Sequence, residues 1–526
     1  MMRRAFVFGG LIVAALGSGT TLLAGPVDAA LATAVERMDR AAIRLLLDPS
    51  TSSGSSRAAS KGDRRVDVNA PQPDGTTALH WAAYHDDLDL VSRLMGAGAN
   101  ATAANRYGVT PLSLACVNGN AAVIQRFLDA RADANAALPG GETMLMTAAR
   151  TGRVEAVRVL LARGADVHAR EPRRGQTAVI WAAAEGHVEV VEELVKAGAD
   201  IRTPLDSGFT PLLFAVRQGR IPAVKALLNA GADVNEVVQI KAAPKLPEGE
   251  RPLRTGTTPL HLAVANGHFE LAAALLDAGA DPNSDIMGYT VLHTLAYVRK
   301  PGIGDNDPGP EGSGSMSSLE LVKRLVAKGA NINARMTRRP NLTNTRFNEL
   351  GATPFLVAAV AADAEYIKAL VDLGADPLLT NNEGSTALMT AAGLGTRSPG
   401  EDAGTEEEVI EALQVLLDLG ADINAVDDHG ETAMHGAAYK NLPGVVKFLA
   451  DKGARIDIWN RKNEFGWTPL TIARGYRFGN FKPSAVTVAA IESVMLSAGV
   501  TPPTEKEENA TGFDIYAPVA KPTPPR

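Results

Sequence analysis

The chain has 526 residues, of which 45% are hydrophobic and 21% are charged, and its formal net charge at pH 7 is −7. A chain of this length is too long for a single hydrophobic core, so it must divide into several structural units. The modest negative charge, without a long basic tract, argues against nucleic acid as a partner. With Cys116 as the sole cysteine there is no internal disulfide, and packing has to supply the stability.

The N-terminus has the features of an export signal. Arg3 and Arg4 precede an apolar run that extends to Leu16. Small residues before position 30 predict cleavage after Ala29, so residues 1–29 are a signal peptide and the mature chain is periplasmic or secreted, without a stable membrane span. Two alternatives stay open: an uncleaved N-terminal helix that anchors the chain, and export by a twin-arginine route.

A Gly-x-Thr box then recurs eleven times along the chain. The first five copies are 33 or 34 residues apart, as are the copies at Gly351 and Gly384. A fixed period of this length is typical of a solenoid, in which each unit buries its apolar face against its neighbours. The glycines of the box are Gly75, Gly108, Gly141, Gly175, Gly208, Gly256, Gly288, Gly351, Gly384, Gly430 and Gly466.

Each copy predicts a pair of short helices joined by a turn. The threonine of the box is a good helix N-cap, because its hydroxyl accepts a hydrogen bond from a backbone N–H of the first turn. The second helix, as in residues 188–195, has apolar residues at helical spacing. It ends at a glycine suited to a left-handed C-cap, and Arg131 is the exception. A non-glycine residue in that conformation costs roughly 1 kcal/mol.

The unit resembles the ankyrin repeat. Near-consensus residues stand at His80-Trp81-Ala82-Ala83 and over residues 258–263 and 267–283, and the resemblance extends over roughly residues 31–500. It implies an α-solenoid with short β-hairpin fingers, elongated and curved, made of about twelve repeats.

The predicted domain organisation follows from where the period begins and ends. A degenerate N-terminal cap occupies residues 30–48, because it has helical pattern but lacks the box. The array spans residues 30–500, with full repeats from residue 75 to residue 500. Residues 501–526 are rich in proline and charge, and we expect a disordered tail. High alanine, glycine and arginine content gives the chain a bacterial composition.

Five insertions interrupt the array. Residues 236–254 and 336–350 fall between a second helix and the next box, so they lengthen a finger. Residues 301–317 and 394–405 fall between the two helices of one unit, at its opposite end, and residues 49–65 follow the cap. Surface loops of such length cost little free energy. The sequence therefore leaves open whether the insertions bind a partner or are tolerated loops.

The resemblance implies that partners dock on the fingers and on the inner face of the first helices. Aromatic and arginine residues at those positions have the composition of interface hot spots. For any one of them, a solvated finger edge is the alternative. The candidate partner-binding residues are Arg106, Tyr107, Arg173, Arg174, Phe209, Met287, Tyr289, His429, Trp459 and Trp467.

The sequence contains no catalytic or metal-binding motif. His80, His261, His293 and His435 belong to a Thr-x-x-His box, in which such repeats use histidine for hydrogen bonds within and between units. There is no His-Glu-x-x-His, no cysteine pair, no nucleophile elbow and no phosphate-binding loop. We therefore expect neither catalytic residues nor a cofactor or metal ion.

The expected function is that of a monomeric, non-catalytic scaffold that binds one or more proteins in an exported compartment. An accessory or inhibitor subunit of a secreted or periplasmic enzyme is the first alternative. The second is an enzyme whose site is built on the insertions, although these contain neither histidine nor cysteine.

Overall fold

The computed structural model describes residues 29–47, 66–240, 255–300, 310–339, 346–400, 403–477 and 483–504. The chain divides into two compact units, Met1–Leu253 and Arg254–Arg526. Most of the predicted signal peptide, the insertion at residues 49–65 and the tail beyond residue 504 lie outside the described residues. No described helix is long and apolar enough to cross a membrane.

Unit 1 is a stack of helix pairs. Its helices are α1 (Ala30–Glu36), α2 (Arg40–Leu47), α3 (Ala78–Tyr84), α4 (Leu88–Gly96), α5 (Pro111–Asn118), α6 (Ala121–Asp129), α7 (Met144–Thr151), α8 (Val154–Ala162), α9 (Ala178–Glu185), α10 (Val188–Lys196), α11 (Pro211–Arg217) and α12 (Ile221–Asn229). The first helices of successive pairs pack side by side from α1 to α11, and the second helices do so from α4 to α12. We call these the inner and outer helices.

Unit 2 repeats the same arrangement. Its helices are α13 (Pro259–Ala265), α14 (Phe269–Asp277), α15 (Val291–Arg299), α16 (Ser318–Ala327), α17 (Pro354–Val360), α18 (Ala364–Asp372), α19 (Ala387–Ala392), α20 (Glu406–Asp418), α21 (Ala433–Lys440), α22 (Pro443–Asp451), α23 (Ile456–Trp459), α24 (Pro469–Ala473) and α25 (Ala485–Ser497). The inner helices α13, α15, α17, α19, α21 and α24 pack in that order.

The box threonines begin the inner helices, as the sequence predicts. Thr110 accepts a hydrogen bond from the backbone N–H of Ser113 at 3.2 Å, and Thr258 accepts one from His261 at 3.3 Å. A proline at the first helical position needs no N–H acceptor there, so it fits directly after Thr258. In each of these two inner helices, a backbone N–H group of the first turn thus finds its acceptor in the threonine of the same box.

The box histidines connect neighbouring repeats. In the first copy, Nδ1 of His80 lies 2.8 Å from the Thr77 hydroxyl, and its Nε2 lies 3.0 Å from the carbonyl oxygen of Val109 in the next repeat. Because Nδ1 also accepts from the Thr77 N–H, the ring proton belongs on Nε2, which donates to Val109. His261 and His293 make the same two contacts, as predicted.

The fingers are turns fixed by a side chain. Oδ1 of Asn105 accepts hydrogen bonds from the N–H groups of Tyr107 and Val109, each at 3.0 Å. Asn381, Asp427 and Asn463 do the same in later repeats. Within the described residues, the isolated bridge between Ala137 and Thr143 is the only β-type pairing. The structure therefore gives a helical repeat array, with turns where the sequence predicted β-hairpins.

Cys116 is fully buried in α5, as expected for a small apolar position of an inner helix. Burial raises the pKa of its thiol above the ordinary value, because the thiolate loses its hydration. A protonated, enclosed thiol has no nucleophilic role to play.

Arg131 adopts the left-handed conformation, with φ of 65°, directly after the outer helix α6. The corresponding residues after α8 and α10 are Gly164 and Gly198, with φ of 82° and 91°. The side chain of Arg131 is exposed, so nothing in its packing offsets the steric cost of this backbone conformation. Among the outer helices α4, α6, α8, α10 and α12, only α6 is therefore followed by a non-glycine residue in this conformation.

We expect Arg131→Gly to raise the free energy of unfolding of unit 1 by about 0.5–1 kcal/mol, because glycine adopts positive φ without the Cβ clash. Urea unfolding of both proteins measures the difference. Arg126→Gly is the matched control, since Arg126 lies within α6 and glycine there should destabilise by a similar amount. Equal losses of stability in both variants would contradict the strain at Arg131.

Candidate functional site

The finger tips of unit 1 present exposed aromatic and basic side chains. Tyr107 is 56% exposed, and Arg106, Arg173 and Arg174 are also exposed. The backbone beneath them is held in place: the N–H of Arg106 donates to the carbonyl of Asp74 in the preceding finger at 2.8 Å. The Arg106 guanidinium also donates to the Pro73 carbonyl. These tips are rigid supports for large side chains in solvent.

The turn that carries Arg173 and Arg174 is fixed by a carboxylate instead of an amide. Glu171 is buried, and its two oxygens accept from the N–H groups of Arg173 and Arg174, each at 2.7 Å. The carboxylate is therefore used by the backbone, and both guanidinium groups point away from it into solvent as exposed side chains. Of the ten candidate residues, these two, with Arg106 and Tyr107, are the exposed ones.

Phe209, a further candidate, is buried in unit 1. Its ring lies 4.8 Å from that of Phe214 in α11, and the Arg217 guanidinium lies 4.9 Å from the Phe209 ring centroid. The interpretation of Phe209 as an exposed contact is corrected by this packing. The side chain of the residue between the glycine and the threonine of this box packs against the inner helix and does not lie at the finger tip.

Tyr289 stands at the same box position in unit 2 and is likewise buried. Its ring meets the His261 ring edge to face, with centroids 6.1 Å apart, and its hydroxyl lies 3.6 Å from the Met287 sulfur. Met287 is half-buried, and Thr257 donates to its sulfur at 3.4 Å. Tyr289 thus seals one repeat against the preceding one, and Met287 is partly occupied by that packing.

Trp459 and Trp467 are also buried, at 2% and 3% exposure, which corrects their interpretation as finger contacts. Trp459 ends the one-turn helix α23, a helix that the sequence analysis did not predict. Trp467 packs against Phe465 with ring centroids 5.1 Å apart. Both indole rings are therefore part of the interior before the last helix pair.

His429 bridges three successive fingers of unit 2. Its Nε2 lies 3.1 Å from Glu383 of the preceding finger, and its Nδ1 lies 2.9 Å from Glu464 of the following one. Burial acts against the charge, but hydrogen bonds to Glu464 and Glu383 outweigh it and raise the pKa of His429 to about 9. The ring is therefore protonated at neutral pH and occupied by internal partners.

We expect His429→Gln to lower the free energy of unfolding of unit 2 by about 1 kcal/mol at pH 6, because both ion pairs are partly exposed. The folded-state pKa of about 9 lies above the ordinary value of 6.5, so this contribution is complete below pH 6.5 and is lost as pH rises through 9. Urea unfolding at pH 6 and pH 10 tests it. The exposed His168 of unit 1 provides the control variant, His168→Gln, and a pH-independent effect of His429→Gln would refute the assignment.

Two insertions meet over the inner helices of unit 2. The N–H of Arg346 donates to the carbonyl of Gly395 at 2.7 Å, and Asn382 donates to Leu350 at 2.9 Å. The two insertions enter from opposite ends of their repeats, and Arg346 of the first still reaches Gly395 of the second. The reason is length: α19 has six residues, about 9 Å of helix, so a finger insertion reaches the loop that follows it.

A partly open cavity of about 220 Å³ lies where these insertions meet. Its walls come from both insertions and from three fingers. The lining residues are Arg339, Arg346, Phe347, Asn348, Glu383, Ser385, Leu394, Gly395, Thr396, Asp427, His429, Glu431, Tyr439, Glu464 and Phe465. We call it the insertion cavity. His429 is the one candidate partner-binding residue that lines it.

A network of buried polar groups forms one side of the insertion cavity. Glu431 accepts from the Tyr439 hydroxyl at 2.7 Å and from Nδ2 of Asn463 at 2.8 Å. Asp427 accepts from the Ser385 hydroxyl at 3.1 Å. Burial raises the pKa of both carboxyl groups above their ordinary values. The network links three neighbouring repeats. The groups that donate hydrogen bonds to these two carboxylates are neutral.

Residues 310–317, the described part of the insertion at residues 301–317, contact the preceding repeat. The Ser313 hydroxyl lies 2.8 Å from Nδ1 of His268, and Ser315 donates to Glu270 from its N–H and its hydroxyl, at 3.1 and 2.8 Å. A second cavity, of about 360 Å³, lies between this segment and Phe269. Residues 310–317 therefore lie along the turn between α13 and α14.

The box histidines are framework groups. Burial lowers the pKa of His261, His293 and His435 to about 4 and lowers that of His80, so all four are neutral near pH 7. Across the described ranges, no group of three or more His, Cys, Asp or Glu side chains is arranged to hold a metal ion.

Three further residues of the insertion cavity are not among the candidates predicted from the sequence: Arg346, Glu431 and Tyr439. Residues 336–350 are basic and polar in composition, but the contact between Arg346 and Gly395 cannot be inferred from periodicity. Glu431 and Tyr439 carry a weak signal that could have been found: they are eight residues apart, as are the paired Glu142 and Arg150 in unit 1.

The stacked helix pairs define an α-helical solenoid built from one repeating box. Comparison with protein families makes the class more specific: models described as ankyrin repeats match residues 79–171, 169–237, 255–285 and 403–481. These segments amount to about half of the chain, which therefore belongs to the ankyrin-repeat family. Residues 286–402, where three of the insertions lie or begin, fall between the matched segments.

Among solved structures, the chain is similar to the human ASB11 ankyrin repeat domain. The sequence identity is 25%, the match covers 48% of this chain and 98% of that chain, and the TM-score is 0.37. No curated protein matches the chain.

Proposed function

We propose that the chain is a non-catalytic scaffold that binds another protein through its finger tips and inner helices, in an exported compartment. Ankyrin repeats are protein–protein interaction modules, which supports the general assignment. The observation that carries the proposal for this chain is Tyr107, a large aromatic side chain that is 56% exposed on a turn whose backbone is fixed by Asn105.

An exposed tyrosine on a rigid turn is suited to binding. Tyrosine buries a large area with few rotatable bonds, and a fixed backbone reduces the conformational entropy lost on association. Arg106 stands beside it, and Arg173 and Arg174 occupy the tip two fingers further along the same unit. Tyrosine and arginine are enriched among the residues that dominate interface energies. These four residues are the proposed contact surface of unit 1.

The export proposal depends on the N-terminal sequence. Two arginines, an apolar run and small residues before position 30 have the organisation of a cleaved signal. The first described helix begins at Ala30, directly after the proposed cleavage position. A mature chain beginning at Ala30 therefore starts with the helix that caps the array. The helix pairs of the two units support a count of twelve repeats, and the composition supports a bacterial exported protein.

We expect that Ala substitution of Arg106, Tyr107, Arg173 and Arg174 together weakens partner binding at least about tenfold, because hot-spot residues each contribute upward of 1 kcal/mol. The mature, tagged chain is used to capture proteins from an extract of its own host compartment, and the partner identified by mass spectrometry is titrated against each purified variant. The control replaces the exposed outer-helix residues Glu192 and Lys225 by alanine.

A partner that binds wild type and control but not the finger variant supports the proposal. Capture of no protein above background, or equal affinity for all three chains, contradicts it. If the captured partner is an exported enzyme, the effect of the chain on that enzyme's activity distinguishes an accessory from an inhibitor subunit.

For export, we expect the full chain expressed with a C-terminal tag to be recovered outside the cytoplasm with Ala30 as its first residue. Intact-mass measurement of the exported fraction reads the cleavage position directly. Replacement of Leu11 and Val13 by arginine interrupts the apolar run and should retain the chain inside the cell. An uncleaved chain in the membrane fraction would indicate the anchored alternative.

A further inference from the structure

The last described helix, α25, has apolar residues on two opposite faces. One face is buried and packs against α22 and α24. On the other face, Val486 is 67% exposed and Leu496 is 61% exposed. Ala489 and Ser493 are exposed between them, and steps of three and four residues align all four along one side of the helix. We call Val486, Ala489, Ser493 and Leu496 the α25 stripe.

The exposed faces of other outer helices are charged. In α10 the exposed residues are Glu189, Glu192 and Lys196, and in α22 they are Lys447 and Asp451. Charged side chains keep such a face in water, and a solenoid needs a polar outer face at a terminal repeat. The α25 stripe contains no charged residue, so water contacts apolar side chains along its length. A segment that covered the stripe would remove those side chains from water and stabilise the helix.

The chain that follows α25 contains a segment suited to cover the stripe. Residues 505–526 lie beyond the described residues and contain no further Gly-x-Thr box, so the sequence predicts no next helix pair there. They are rich in proline and charge, but Phe513, Ile515 and Tyr516 stand together within four positions. A proline-rich, charged stretch has no core of its own, so these side chains are buried only by contact with another surface. We call residues 512–516 the tail segment.

The connection from α25 to the tail segment has a suitable length. The end of the helix is fixed, because the N–H of Val500 donates to the carbonyl of Met495 at 2.9 Å. From Thr504, the last described residue, the chain to Phe513 passes through residues 505–512 and spans at most about 30 Å. With 13 residues, α25 is about 20 Å long. The tail segment can therefore reach any point along the stripe.

The size of the stripe favours a tethered occupant over a second copy of the chain. The stripe extends along about three turns of one helix. Separate proteins that form a stable complex bury roughly 800 Å² on each partner, which is far more than such a stripe offers. Two groups joined by a short connection meet at an effective concentration on the order of 1 mM, so a small contact between them is sufficient.

We propose that the tail segment docks on the α25 stripe of the same chain and covers it. Phe513 and Ile515 are two positions apart, so they lie on one side of an extended segment, while Asp514 lies on the other side and stays in water. Their contacts are Val486 and Leu496, the two large apolar residues of the stripe. The docked segment replaces the polar outer face that α25 lacks. This proposal presumes no protein partner and is independent of the proposed function.

Disulfide trapping in the full chain tests the contact. Ser493→Cys places a thiol on the stripe, and Ala517→Cys places one on the side of the extended chain that carries Ile515. The natural thiol of Cys116 is buried and does not compete. With glutathione disulfide as oxidant, we expect an intramolecular disulfide to form at least about tenfold faster than in a control pair off the stripe, because docking raises the effective concentration of the two thiols. Mass spectrometry of the digested chain identifies the bond.

Two matched variants separate docking from random encounters of the tail. Lys447→Cys with Ala517→Cys is the control pair, because Lys447 is exposed on α22, the helix against which α25 packs, but lies off the stripe. Phe513→Ser with Ile515→Ser, added to the Ser493→Cys, Ala517→Cys chain, removes the apolar side chains of the tail segment and should slow closure to the control rate. These two serine substitutions lie outside the helix array, and circular dichroism confirms that each variant is folded.

Closure at the same rate for the stripe pair and the control pair would overturn the proposal, as would a rate that Phe513→Ser with Ile515→Ser leaves unchanged. A disulfide between two chains, formed at a rate that rises with protein concentration, would identify a second copy as the occupant and overturn it as well. The proposed function is tested separately by the capture experiment. A chain that captures a partner but forms no disulfide at the stripe leaves the scaffold proposal intact and removes this one.

Discussion

The close approach of successive inner helices is the constraint on which the structure depends. Ala82 and Ala83, with Ala182 and Ala183 further along unit 1, are fully buried, because small side chains let neighbouring helices pack at short range. At that distance the His80 ring reaches the backbone of the next repeat. Since every unit is completed by its neighbour, stability accumulates along the stack, and the fingers are set in register with one another.

The same constraint explains why aromatic residues of the box are poor interface candidates. Phe209, Tyr289 and Trp467 each stand between the glycine and the threonine of a box, and each is buried. The chain at this point has left the finger turn and is entering an inner helix, so the side chain faces the packed interior. Tyr107, which directly precedes its box glycine, is exposed, whereas these residues, which directly follow theirs, are core: two positions in the turn separate solvent from interior.

Unit 2 departs from a plain repeat stack where its insertions meet. In a regular ankyrin repeat the inner helices are open to a partner, but here Arg346 and Gly395 bring two loops together across a six-residue helix. The result is a partly open cavity with many polar side chains in its lining. His429 and the buried network around Glu431 hold the fingers beneath it in one arrangement.

Periodicity alone determined the helix pairs, the threonine caps, the contacts of the box histidines and the left-handed conformation of Arg131, since each depends on residues within one repeat or on the spacing between two. The same local logic located the finger tips at Arg106 and Tyr107. Tertiary structure decided which finger residues are exposed, that Trp459 and Trp467 are core, and that Arg346 and Gly395 of two insertions adjoin. Exposure and burial depend on which neighbouring side chains reach a residue, and the contact between Arg346 and Gly395 depends on the length of the six-residue helix between the two segments; a repeat pattern encodes neither.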